Sequence, residues 1–238
     1  MKKTFLLLLS LSFSLLVFSQ HGSQHIRLTG GFAMPFKDLA NNNFQDKASG
    51  FASNGVHAAA GYDYQFTHNF GLGLQAFYYE SRFSEQKYAN YFAELLNDAR
   101  NSVEPANGWS TGGILLRPYL TLPISNKFSV DVYGSAGFIG VYSPAYTLRR
   151  QSIIPPGPNP AYSYFRARSK AFSFAYGMGS RFNFNIAKHG LFFSAEYLIS
   201  KIHYKDITGT GWDEKPYQMT ITQNLGYISI NIGYSYTL

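Results

Sequence analysis

Six charged residues stand singly in stretches that are otherwise apolar or small: Arg27, Asp63, Arg117, Asp131, Arg181 and Glu196. Three guanidinium groups and three carboxylates can neutralise one another, and arginine's planar fork suits a carboxylate. They need one another where water is scarce, because a buried charge is costly unless it is paired and hydrogen-bonded. The other side chains that could carry chemistry are the six histidines. A histidine beside a serine and a carboxylate could activate a hydroxyl for acyl transfer. His21 lies two positions before Ser23, while His57 and His203 are expected near a rim that Ser81 and Asp206 could approach. His25 lies close to the start, and His68 and His189 sit in turns. Nothing in the spacing links these residues into one set. The chain has no cysteine, which excludes a disulfide scaffold, a thiolate metal site and a cysteine nucleophile. It also lacks a Gly-x-Ser-x-Gly elbow, a phosphate loop and a metal-ligand cluster. No catalytic, cofactor-binding or metal-ligating residue is therefore expected, and no enzyme.

The segments that hold the six charges alternate with a period of two, which is the strand signal. "HIRLTGGFAM", "VHAAAGYDYQF", "FGLGLQAFYYE", "GILLRPYLTL", "FSVDVYGSAGFIG", "FSFAYGMGSRFNF", "LFFSAEYLI" and "GYISINIGYSYTL" are the eight such segments. One face of each is wide, apolar and ring-rich, and the other is mostly Gly, Ser, Ala, Thr, Asn and single charges. Charged residues make up 14% of the chain and aromatic residues 18%, against about 25% charged in an ordinary soluble domain. A soluble barrel would put its large apolar side chains inside. The opposite arrangement fits a barrel whose outer face meets lipid, and most segments are near the ~9–11 residues that a tilted strand needs to cross a bilayer. The six charges then point into the lumen. Each lies a few residues from a predicted turn, so they occupy one slab, with Gln75 and Asn231 as further hydrogen-bond partners. A polar plug is expected, and a gated or solute-binding lumen is the alternative. The net charge of +7 is not gathered into a nucleic-acid patch.

The connections alternate in length. The turns at Thr67–Asn69, Pro123–Lys127 and Ile186–Gly190 are short, whereas 35–55, 81–108, 142–171 and 202–218 are long. Short turns on one side and long loops on the other is the outer-membrane pattern, with the turns and both termini periplasmic. The first 19 residues read as a cleaved signal peptide: Lys2 and Lys3, then an apolar stretch from Phe5 to Phe18 that is short for a spanning helix. The expected organisation is 1–19 signal peptide and 20–238 a single barrel domain.

A signal peptide, eight strands and alternating loops resemble the small outer-membrane barrels of the OmpA/OmpX-like kind. The resemblance covers most of the mature chain and implies an all-β, eight-stranded antiparallel up-and-down transmembrane barrel in the cell outer membrane. It also implies an insertion signal in the last strand, read by the outer-membrane insertion machinery. Asn231, Gly233, Tyr236 and Leu238 fall on its positions, with Leu238 where phenylalanine is commoner. Tyr234, Tyr236, Phe66, Phe70, Phe128 and Phe184 then form an aromatic girdle. In the second long loop, the spacing of Tyr88, Phe92, Leu95 and Leu96 predicts an amphipathic helix over 87–100. The third carries Arg149, Arg150, Arg166, Arg168 and Lys170, which could meet glycolipid phosphates. The expected role is that of a monomeric structural or surface-interaction barrel. A narrow path for small or hydrophobic solutes, resembling the OmpW-like barrels, is one alternative, and a lipid-modifying enzyme is the other.

Overall fold

The computed structural model describes residues 22–43, 45–96, 101–105, 107–150 and 162–238. The expected signal peptide, and His21 with it, lies outside the described residues. Eight long strands form one closed antiparallel ring: β1 (Ser23–Lys37), β2 (Ala52–Gln65), β3 (Phe70–Phe83), β5 (Trp109–Pro123), β6 (Phe128–Tyr142), β9 (Lys170–Ile186), β10 (His189–Thr210) and β11 (Pro216–Thr237). Each pairs with its neighbours in this sequence, and β11 closes on β1 from His25↔Thr237 to Lys37↔Leu225. The all-β, eight-stranded antiparallel expectation holds.

Alternation decides which way each side chain points, because successive residues of a strand face opposite sides of the sheet. The outward set remains uncovered: Phe32, Phe138 and Phe172 are each more than 70% exposed. Exposed apolar rings on so many strands, in a ring around which the described residues place no second sheet, make the outer wall a lipid-facing surface. At the turn end, Phe128 stacks on Phe184 at 4.9 Å, and Tyr234 and Tyr236 flank His189.

Three segments of the long connections are themselves strands. β4 (Asn101–Pro105), β7 (Tyr146–Arg150) and β8 (Tyr162–Arg166) pair in series, and β8 joins β10 at Gly209↔Arg166. The helix α1 spans Glu85–Leu96, two residues earlier than the spacing predicts, and residues 97–100 lie outside the described set. It buries Tyr88 against Phe51, Phe83 and Tyr146, whose hydroxyl is 3.0 Å from that of Tyr88. Burial holds the Tyr88 hydroxyl well above the usual phenol range.

The fourth connection differs from expectation. Residues 202–218 are not a long loop but a continuation of the strand pair β10 and β11, which ends in a tight turn at 211–215. Outward residues of β10 change from Leu191, Phe193 and Ile199 to Lys201, His203 and Lys205, while inward ones stay apolar at Leu198, Ile202, Tyr204 and Ile207. The hairpin keeps its apolar inner side, and the outer side exchanges lipid for water.

Candidate functional site

The lumen is filled in two layers. At the turn end lie the six charges, one on each of β1, β2, β5, β6, β9 and β10, and none is more than 12% exposed in its side chain. Arg181 is the hub: Nη2 is 2.7 Å from Asp131 Oδ2 and 3.0 Å from Asp63 Oδ2, and Nε donates to Asp131 at 2.9 Å. Arg27 pairs with Asp63 through Nε and lies 4.0 Å from Asp131. Arg117 and Glu196 form a separate pair, with Arg117 4.3 Å from the centre of the Tyr133 ring. Phe192 lies beneath both Arg27 and Arg181, at 5.7 and 5.5 Å. The charges balance within four-residue and two-residue groups, which suits a poorly solvated site.

Strand register makes room for these side chains. Gly73 sits opposite both Asp63 and Arg117, and a Cβ there would overlap the Asp63 carboxylate. Asp131 and Arg181 are direct cross-strand partners, a favourable placement for opposite charges. The space left among the charges is about 20 Å³, room for about one water molecule.

Sequence reasoning missed four polar partners. Thr121 donates to Asp131 at 2.8 Å, and Asn183 bridges, donating to Asp131 at 3.0 Å and accepting from Arg27 at 3.3 Å. Ser135 lies 3.5 Å from Glu196. The fourth is His57, which belongs inside the barrel and not near the outer rim. Its ring stacks on Tyr79 at 4.5 Å, and Nδ1 is 2.7 Å from Asn231 Oδ1. Parity was the available signal: 57 and 63 differ by an even number, so His57 shares the inward face of Asp63. Asn231 also reaches Ser229 at 3.1 Å, and Gln75 lines the same small cavity.

The loop-end layer is apolar, which the sequence reading did not expect. Tyr79 stacks on Tyr227 at 4.5 Å in the same layer as Leu115, Ile139, Leu198 and Ile202, none more than 1% exposed. The inner faces of the loop-end halves supply the packing partners that the polar turn-end halves do not. The first long connection folds over this layer: Leu39 is fully buried, Trp109 donates to the Gly50 carbonyl at 2.8 Å, and Gln223 donates to that of Ala48 at 2.7 Å.

Among the described residues, those considered assemble no acyl-transfer set. His203 is 2.9 Å from Thr222, Asp206 accepts from Gln218, and Ser81 is fully buried. Among the described residues no group of three or more histidines and carboxylates could hold a metal ion.

The five basic loop residues separate. Arg149 pairs with Glu104 at 3.2 Å, and Arg166 turns inward over Tyr146. The side chain of Arg150 lies outside the described set. Arg168 and Lys170 stay on the outer wall, over the Tyr142 ring at 4.8 and 5.2 Å. In the last strand Asn231 and Gly233 face the lumen, whereas Tyr236 and Leu238 face outward; the Leu238 N–H donates to Gln24.

The profile of the outer membrane protein beta-barrel domain matches residues 5–237. No curated protein matches the chain. Among solved structures, a major outer membrane protein from Thermus thermophilus is 9% identical at a TM-score of 0.56, over 92% of this chain and 100% of that one. The attachment invasion locus protein Ail of Yersinia pestis is 15% identical at a TM-score of 0.44, over 91% of this chain and 100% of that one.

Proposed function

The chain belongs to the outer membrane protein beta-barrel domain family, and we propose that it is a non-conducting, non-enzymatic barrel with a structural or surface-interaction role. The observation that carries this reading is the filled lumen: balanced charges at the turn end, stacked rings above them, and Leu39 over the top. An eight-stranded barrel is just wide enough for its own side chains to fill it. The solute-path alternative would need an opening through both layers, and the narrow space of about 20 Å³ in the lower one weighs against it. Purified protein in planar lipid bilayers is expected to give no stable channels. Long-lived openings from the wild-type chain would overturn the plug.

The rest of the reading concerns partners. Export through the N-terminal basic and apolar segment, insertion through the last strand and a monomeric state belong to it. So does contact between the wall-facing pair Arg168 and Lys170 and phosphates of the outer-leaflet glycolipid, because charge-assisted bonds of this kind are the strong ones. The extramembrane sheet β4–β7–β8 with α1 supports a surface role, since it is packed around its own aromatic cluster.

A further inference from the structure

The outer wall is not uniform. Between β5 and β6 it is cut by a groove of about 1040 Å³. Its origin lies in the register. Gly112 and Gly140 are direct cross-strand partners, both on the outward face, so two adjacent strands present no side chain at the same level. Tyr78 on β3 and Phe172 on β9 stand in that row on either side. Farther towards the turns the groove is lined by Ile114, Phe138, Leu116 and the small Ala136. Its lining runs from Ser110 to Pro118 along β5. Eight steps at ~3.3 Å, tilted by ~45°, cover a depth of about 19 Å, somewhat more than the ~15 Å of one leaflet's hydrocarbon.

The loop end of this groove is cationic. The row above the glycines holds Ser110, Tyr142 and Lys170, with Glu80 beyond Ser110 on β3. Arg168 leans over the row, donating to Ser110 Oγ at 3.1 Å with its guanidinium 4.8 Å from the Tyr142 ring centre. Lys170 lies 4.4 Å from the Phe172 ring centre. Among the described residues neither cation has a carboxylate partner. The two therefore stand together, unpaired, at the mouth of an apolar channel of about leaflet depth.

We infer that this groove holds one acyl chain of a phosphorylated outer-leaflet glycolipid, whose phosphate meets Arg168 and Lys170. The inference rests on the membrane reading above and deepens it, turning a general affinity of basic residues into one site with a shape. An apolar solute would make no use of the two cations. A second barrel packed against the wall would bring two further cations to this row together with its own Glu80, and a dimer is one outcome of the test. The phosphorylated lipid satisfies both parts at once: one chain held in the groove packs against its walls more closely than mobile neighbouring tails do, and the two cations gain an anion.

The full chain, folded in detergent micelles, is titrated with bisphosphorylated lipid A and with the same lipid dephosphorylated, and adducts are read by native mass spectrometry. The wild type is expected to favour the phosphorylated form. Ala136→Phe fills the groove from its floor and is expected to weaken both forms about tenfold, through the packing contacts of the chain that are lost. Phe138→Ala removes a wall at a 74% exposed position. It serves as a second variant should the larger ring hinder folding, and a several-fold loss is expected. Arg168→Gln with Lys170→Gln is expected to erase the preference for phosphate while leaving the dephosphorylated lipid bound. Wild-type binding by both groove variants overturns the site, as does a dimer in place of the lipid adduct. A folded barrel that enters bilayers but shows no adduct overturns the groove alone. A wild-type chain that stays dispersed without detergent overturns the membrane reading beneath it.

Discussion

Replacing Arg181 with alanine is expected to destabilise the folded barrel by about 3–5 kcal/mol, the cost of removing one partner from a buried ion group. Arg181 is the only described group that joins Asp63 and Asp131 at 3.0 Å or less. Without it Asp131 keeps Thr121, Asn183 and an arginine 4.0 Å away. Two negative charges then share one guanidinium in a space that admits about one water. The measurement is urea unfolding in detergent, with folded and unfolded forms separated on unheated gels. The energy should reside in the stranded carboxylate and not in the lost contact itself. Arg181→Met combined with Asp131→Asn is therefore expected to recover at least half of the loss. A single-variant loss below about 1 kcal/mol would place the charges in contact with more water than the geometry gives them.

The second large effect concerns Gly233. It falls on a position of the expected insertion signal, yet its surroundings give a separate physical reason for glycine. A Cβ there would overlap the Phe192 ring and crowd the Leu28 carbonyl oxygen. Phe192 cannot simply turn away, because it lies under Arg27 and Arg181, and the Leu28 carbonyl belongs to the strand that closes the ring. Overpacking of this kind typically costs about 1–3 kcal/mol, and more where backbone must move. Gly233→Val is expected to refold poorly in detergent, with no insertion machinery present. Tyr236→Ala is expected to refold there like the wild type and to lose insertion only in cells, since Tyr236 faces outward beside His189. Gly30→Ala is the matched control: it faces outward with nothing within 4 Å of an added Cβ and should refold normally. Normal refolding of Gly233→Val would assign the glycine to recognition alone.

The eight strands and their inner and outer faces were legible because alternation is local: a residue's side of the sheet follows from its parity within one segment. The same parity carried the six charges to the lumen, and it contained His57, Thr121 and Asn183 as well. These were missed because a lone polar residue does not show which neighbour it will meet. The β10–β11 extension was read as loop because the outward apolar residues stop at Ile199, although the inward ones continue to Ile207. β4, β7 and β8 carried too short a pattern to stand out from the loops around them.

By itself the sequence determined a lipid-facing ring of strands, the side on which each charge falls and the ends that carry turns, because period-two patterning and turn chemistry act within a few residues. Only the tertiary structure decided that Arg181 joins two carboxylates while Arg117 takes Glu196, that aromatic rings close the upper lumen, and that Gly112 and Gly140 coincide to open a groove. Those outcomes depend on cross-strand register and closure, which bring together residues as far apart as Arg27 and Asn183. No local pattern encodes which rows will align when the ring closes.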